Sequence, residues 1–301
     1  MKKIGIILTI VASAIICICT FSNCSKERNS NDTTMPNVTS TNVLGIANQN
    51  NSYDYCGRMH NEILDYIIDN NPNPTDTDIY NLSRKYLQEQ YDLPCDITFA
   101  ETFSHYETTT SFITDAILSA ASFDTIFSGE IIAGVLDSLT AYSNSILESN
   151  TLPTPQEYAE HLIGQENRII TVRETVETSQ NDVSEYNIAL GTLAIARYSY
   201  YYWYTVVNDT NSAWYFITNT SKQRKDNNPD TGFWGKLWDG ICNVVENTVK
   251  VVVTPVVDAT GFAWGAISTA TIQSSPEGNP RLDLSLGEAI KTASDWSGKV
   301  W

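Results

Sequence analysis

Apolar residues recur every three or four positions along most of the chain, a period that predicts α-helices rather than strands. Cys56, Met59, Ile63, Tyr66 and Ile67 share one face of a first helix that begins near Tyr53 and ends near Asn70. Asn71-Pro72-Asn73-Pro74 breaks it. Thr75 with Asp78 three residues on forms a capping box for a second helix, whose buried face is Ile79, Leu82, Tyr86 and Leu87, closed by Pro94. So short a break predicts an antiparallel hairpin. Residues 95–110 are ambiguous, and helical pattern returns over Thr110–Ala121 and Gly129–Glu148. Thr154-Pro155-Gln156-Glu157 combines an N-cap, a proline at the first helical position and a capping glutamate, and starts a helix reaching about Thr178. The segment from about Val183 to Val207 is apolar nearly all round, which predicts the central helix of the core.

The C-terminal third is less regular. Residues 208–231 read as a polar loop region and a possible sub-boundary, interrupted by Trp214-Tyr215-Phe216-Ile217. Trp234, Leu237, Trp238, Ile241, Val245, Val249 and Val252 form an apolar stripe, with Lys236, Asp239, Asn243, Glu246 and Lys250 opposite. Thr254-Pro255 should end or kink that helix, and the β-branched run Val249–Val257 also fits a strand. A small-residue segment, Asp258–Ala266, follows; Ser285 with Glu288 caps a last helix. The pattern predicts an all-α domain, an irregular bundle of about seven or eight helices.

The start of the chain differs in kind. Lys2 and Lys3 precede an unbroken, mostly apolar run from Ile4 to Phe21, the pattern of a secretory signal peptide. Phe21-Ser22-Asn23-Cys24 resembles a bacterial lipobox, in which the chain is cut before a cysteine whose thiol carries lipid; Cys24 is then the lipidation site. The alternative is an uncleaved span, since the 18 residues just reach membrane-crossing length. Residues 1–23 are thus assigned to the signal, 24–52 to a lipid-anchored flexible tether rich in Asn, Ser and Thr, and 53–301 to the helical domain.

Charge narrows the partners. The whole chain carries a net charge of −17, and cleavage before Cys24 would remove two lysines and no acid. That balance argues against nucleic acid, whose affinity comes from neutralised phosphates, and against electrostatic adhesion to an anionic bilayer, so that membrane attachment falls to the lipid.

Candidate chemistry is sparse. His60, Asn61 and Asp65 are the sharpest polar cluster, with Asn61 and Asp65 one helical turn apart; the plain alternative is that they bond to neighbouring helices. Glu101 with His105, and Glu157 with His161, could each share a helix face. There is no HExxH or CxxC, and no metal or cofactor is expected. Tyr198 and the run around Trp203 could stack on sugar rings or pack as core. Gly261-Phe-Ala-Trp-Gly265 is a GxxxG, suited to a close helix crossing or to a membrane-inserting segment. Outside the cytoplasm a disulfide can persist. Cys56 and Cys95 fall at the same end of the predicted hairpin and are the expected pair, leaving Cys242 as a buried thiol.

The stretch Cys56-Gly57-Arg58-Met59-His60-Asn61-Glu62-Ile63-Leu64-Asp65-Tyr66-Ile67 resembles a GxxHNxxLDYI signature of lipoproteins from Bacteroidota-type bacteria. Ala196–Trp203 and Asp258–Ala266 are similar to further stretches of such proteins, and Ser25-Lys26-Glu27 resembles part of their signal for export to the outer surface. The resemblance implies a cell-envelope location, with anchoring at the outer membrane on its periplasmic or surface-exposed side, and brings no reaction with it. In such bacteria Asp32-Thr33-Thr34 looks like a short O-glycosylation acceptor, which makes Thr33 a candidate. The expected role is a non-enzymatic binding module for a protein or a glycan. The alternatives are a membrane-active effector using the C-terminal segments, and an enzyme with its site around His60.

Overall fold

The computed structural model describes residues 45–93, 95–179, 184–212, 214, 246–272 and 282–301. Cys24, Thr33, Cys242, the signal and the first half of the Trp234–Val252 stripe lie outside the described residues. Among the described residues there are eight α-helices and no strand: α1 Asp54–Asn70, α2 Asp76–Tyr91, α3 Phe99–Ser119, α4 Glu130–Ser149, α5 Pro155–Thr178, α6 Ser184–Asn208, α7 Glu246–Ile272 and α8 Leu282–Val300.

Capping chemistry places several of the starts. Thr75 with Asp78, Thr98 with Glu101 and Thr154 with Glu157 all form reciprocal capping boxes at α2, α3 and α5. Helices α2, α3 and α4 end on left-handed residues, Asp92, Ala120 and Asn150. In α1 and α2, the Tyr66 ring packs at a tilt against Tyr86 while the Tyr91 hydroxyl reaches back to Glu62, so the pair runs antiparallel as expected.

The core is built around α6, α7 and α8. Helix α7 packs along α8 and α6 and also against α4, while α6 carries α1, α4 and α5 on its remaining faces, and α8 meets α1 and α2. Close approach at α7–α8 depends on the GxxxG: a Cβ at Gly261 would come within 2.9 Å of the Trp296 ring, and one at Gly265 within 2.8 Å of the Ala289 backbone. From Val249 to Ala263 of α7 and from Leu286 to Gly298 of α8 every residue is buried. Such a helix pair contributes apolar area on all faces, at roughly 25 cal/mol for each Å² removed from water.

Five expectations are corrected. Helix α7 continues through Pro255, so Val249–Val257 is no strand and the proline is no terminus. Proline removes one helical hydrogen bond, the one to the Val251 carbonyl; the neighbouring Val252 carbonyl accepts an additional one from Ser143 Oγ of α4 at 3.2 Å. Lys250 does not face water: it is buried with its ammonium over the Trp301 ring, 5.1 Å from the centroid. Helix α8 begins at Leu282, ahead of Ser285, and Glu288 instead accepts from the Ile97 amide at 2.9 Å. Cys56 and Cys95 are free, buried thiols rather than a disulfide. Cys56 sits among Asp54, Tyr55 and Arg58, whereas Cys95 lies near Glu288, Lys291 and Asp295 of α8, so the two occupy different surroundings.

The fifth correction moves a boundary. Residues 45–52 belong to the folded domain, not to the tether. Ile46, Asn48 and Asn51 are buried. Asn51 Nδ2 donates to the Leu190 carbonyl at 3.1 Å, and Asn48 Nδ2 to Glu166 Oε2 at 2.6 Å. Polar composition suggests a solvated segment, but each amide here finds a partner more than a hundred residues away.

Candidate functional site

Residues of Cys56–Ile67, Ala196–Trp203 and Asp258–Ala266 converge on one place in the core. Gly57 of α1 lets α6 come close, because a Cβ there would meet Tyr198 Cδ2 at 2.4 Å and the Ala194 carbonyl at 2.6 Å. One turn on, His60 is fully buried. Its Nδ1 lies 2.9 Å from Asn61 Oδ1, and Asn61 Nδ2 donates to the Tyr198 carbonyl at 3.0 Å. On the other side of the ring, Nε2 is 3.3 Å from Asp258 Oδ2 of α7. That oxygen accepts from Ser199 Oγ of α6 at 2.6 Å and from Ser297 Oγ of α8 at 2.8 Å. Trp203 Nε1 in turn donates to Ser297 Oγ. Burial pushes the Asp258 carboxyl above the ordinary range, while His60 and the two hydroxyls pull it back.

Asp65, the third member of the predicted cluster, is elsewhere: it is exposed and accepts from the Tyr202 hydroxyl at 2.8 Å. His60 and Asn61 are thus brought together with Asp258, and Asp65 is not. Although histidine, aspartate and serine meet here, both serines bond to the carboxylate and neither to the imidazole. The group has no nucleophile–base pair, and a substrate could reach it only by parting four helices.

A second buried group surrounds Arg197 of α6. Its guanidinium bonds to Asp54 Oδ1 at 2.6 Å and to Glu166 Oε1 of α5 at 2.9 Å, and it donates to the Ile46 carbonyl. Asp54 also accepts from the Tyr198 hydroxyl at 2.9 Å and from Arg58 at 2.8 Å. Burial raises the Glu166 carboxyl, and Arg197 and Asn48 counter it. A third group joins α8 to α2. Lys291 pairs with Asp295 at 2.7 Å, its ammonium sits 3.9 Å from the Tyr80 centroid, and Ser83 Oγ donates to Asp295. Asp54, Glu166, Arg197, Asp258, Lys291 and Asp295 were not singled out from sequence as a site. The available signal was a charge inside an all-round apolar helix: Arg197 in α6 and Asp258 in α7.

The remaining sequence candidates are committed to structure. Glu101 and Glu157 cap their helices. His105 stacks near Trp264 at 4.4 Å and His161 on Tyr142 at 3.8 Å. Of the tyrosine run, Tyr198, Tyr200 and Trp203 are core; Tyr200 stacks on Tyr158 with centroids 3.9 Å apart.

A groove of about 450 Å³ lies between α4 and α5. Ile131, Val135 and Ile169 give it an apolar side, and Glu130, Ser138, His161, Gln165 and Arg168 line the rest. Gly134 also lines it; a Cβ there, or at Gly164 of α5, would meet nothing within 4 Å.

Comparison with protein-family models, curated proteins and solved structures finds no match to the chain.

Proposed function

We propose that this chain is a lipid-anchored envelope protein whose helical domain binds another protein or a glycan without catalysing a reaction. The anchoring rests on the basic start, the apolar run Ile4–Phe21 and Cys24. The binding reading rests on the groove between α4 and α5. A helical glycine costs about 0.5–1 kcal/mol relative to alanine, and no neighbour of Gly134 or Gly164 demands one. Open space above bare backbone, between an apolar side and mixed donors and acceptors, suits a ligand lying close to the helices. The polar cluster around His60 lends no support to an enzyme, because packed helices enclose it.

The test is retention of the protein on immobilised peptidoglycan, on lipopolysaccharide glycans and on solubilised envelope proteins, with Gly134→Trp as the blocked form. Saturable retention on one of these, lost in the variant, is expected. No retention on any of them sinks the reading, and equal retention of the variant removes the groove from it.

One observation favours a second reading, a membrane-active effector: Thr248–Thr269 is long and apolar enough to span a bilayer. Against it, Asp258 sits mid-segment and 83% of the most apolar window is buried in the bundle. Release of dye from liposomes by protein lacking its lipid would favour the effector; no leakage removes it.

A further inference from the structure

Asn61 determines which nitrogen of His60 carries hydrogen. Its amide nitrogen is committed to the Tyr198 carbonyl, so the atom facing His60 Nδ1 is the amide oxygen. An amide oxygen only accepts, and Nδ1 is therefore protonated. In a neutral ring the other nitrogen, Nε2, would present a lone pair. What it faces, 3.3 Å away, is a carboxyl oxygen that already takes hydrogens from Ser199 and Ser297. A lone pair against a buried carboxylate is repulsive, and both groups are shut off from water.

We infer that one proton is held between His60 Nε2 and the Asp258 carboxyl, and that its release as pH rises is a switch that loosens the crossing of α1, α6, α7 and α8. Whether drawn as imidazolium and carboxylate or as imidazole and carboxylic acid, the pair carries one proton and no net charge. Release of that proton to water leaves a net negative charge at the centre of the bundle. Among the described residues, the buried cations of these helices are engaged elsewhere: on α7, the Lys250 ammonium lies over the Trp301 ring. On α6, Arg197 is held by Asp54 and Glu166; on α8, Lys291 is held by Asp295. From α3, Tyr106 contributes a hydroxyl whose own ionisation burial and nearby acids disfavour. From α4, the nearest recorded bond to α7 is that of Ser143, which carries no charge. The joint is also slack: among the described residues Asp258 Oδ1 has no hydrogen-bond partner, and Nε2 makes only the long contact.

Denaturant unfolding of the full chain between pH 5 and 9 tests this, with Asp258→Asn as the comparison. An asparagine amide can donate to the Nε2 lone pair while its oxygen accepts from both serines, so the variant needs no proton. In the wild type the unfolding constant should rise on the alkaline side by up to about tenfold per pH unit for this proton, and the variant's slope should be shallower by that amount. Equal slopes overturn the inference. Should the variant fail to fold, nuclear magnetic resonance of the wild type at pH 6 decides. A lone-pair Nε2 signal together with an ionised Asp258 carboxyl carbon overturns the shared proton. A protonated signal at either group upholds it.

Discussion

Gly57 and Tyr198 touch so closely that no other residue fits between their helices: a Cβ on Gly57 would stand 2.4 Å from the Tyr198 ring and 2.6 Å from the Ala194 carbonyl. A ring can shift, but the carbonyl belongs to α6 itself. Gly57→Ala should therefore destabilise the domain by about 1–3 kcal/mol, the usual cost of overpacking. Gly134→Ala should do the opposite, by up to ~1 kcal/mol. Urea unfolding of the two variants side by side checks both signs.

Arg197 bridges Asp54 and Glu166, and Asp54 has Arg58 as a second partner. Arg197→Met keeps much of the volume and removes the charge, leaving the buried Glu166 carboxylate without its cation while Asp54 keeps Arg58. The expected loss is about 3–5 kcal/mol. A variant within measurement error of wild type would mean that water reaches this group freely.

Burial raises the carboxyls of Glu166, Glu288 and Asp295 above their ordinary values. In the window between the unfolded value, near 4, and the higher folded one, the native state holds more protons than the unfolded chain. Stability from these groups is full below that window and lost as pH rises through it. The lowered values of the exposed capping residues Asp78, Glu101 and Glu157 act in the opposite sense, but in an exposed setting that effect is small. Denaturant midpoints should be higher at pH 5 than at pH 8, and the reverse order would contradict this account.

Burial also pushes the Cys95 thiol up to about 12 and the Cys56 thiol further. Neither should react with a thiol reagent in the native protein. Both should label once the chain is unfolded without reductant. Protection that persists in the unfolded, unreduced chain would restore the disulfide.

Anchoring has its own test. Cys24→Ala should release the protein to the soluble fraction or leave it uncleaved, whereas membrane retention with normal processing would refute lipidation there. A peptide spanning Thr33 with no added mass would close the glycosylation reading.

Much of the helical order was legible because capping and periodicity are local. Thr75 with Asp78 and Thr154 with Glu157 mark α2 and α5 in sequence and in structure. Thr98 with Glu101 carries the same signature, but Phe99–Thr110 lacks a clean apolar stripe to go with it; Ser285 with Glu288 carries it too, yet the helix begins earlier, at Leu282. Non-local satisfaction was not legible. Asn48 reads as tether until Glu166 is beside it, and Lys250 reads as surface until Trp301 lies under it. For the same reason His60 and Asn61 could be picked out, but Asp258, Ser199 and Ser297, the groups that give His60 its chemistry, could not.

The enclosure of α8 bears on how the chain folds. Ser83 meets Asp295, and Thr102 meets Trp296, across 212 and 194 residues. Helical proteins usually fold fast because their contacts are close in sequence, and rates fall as mean contact separation grows. Here α1 and α2 pack on each other and α1 on α6, but part of their apolar surface stays uncovered until α8 arrives, so collapse of the early part gains less on its own. Completion of the bundle then waits on the last nineteen-residue helix, so closure of the domain is tied to the arrival of its C-terminus.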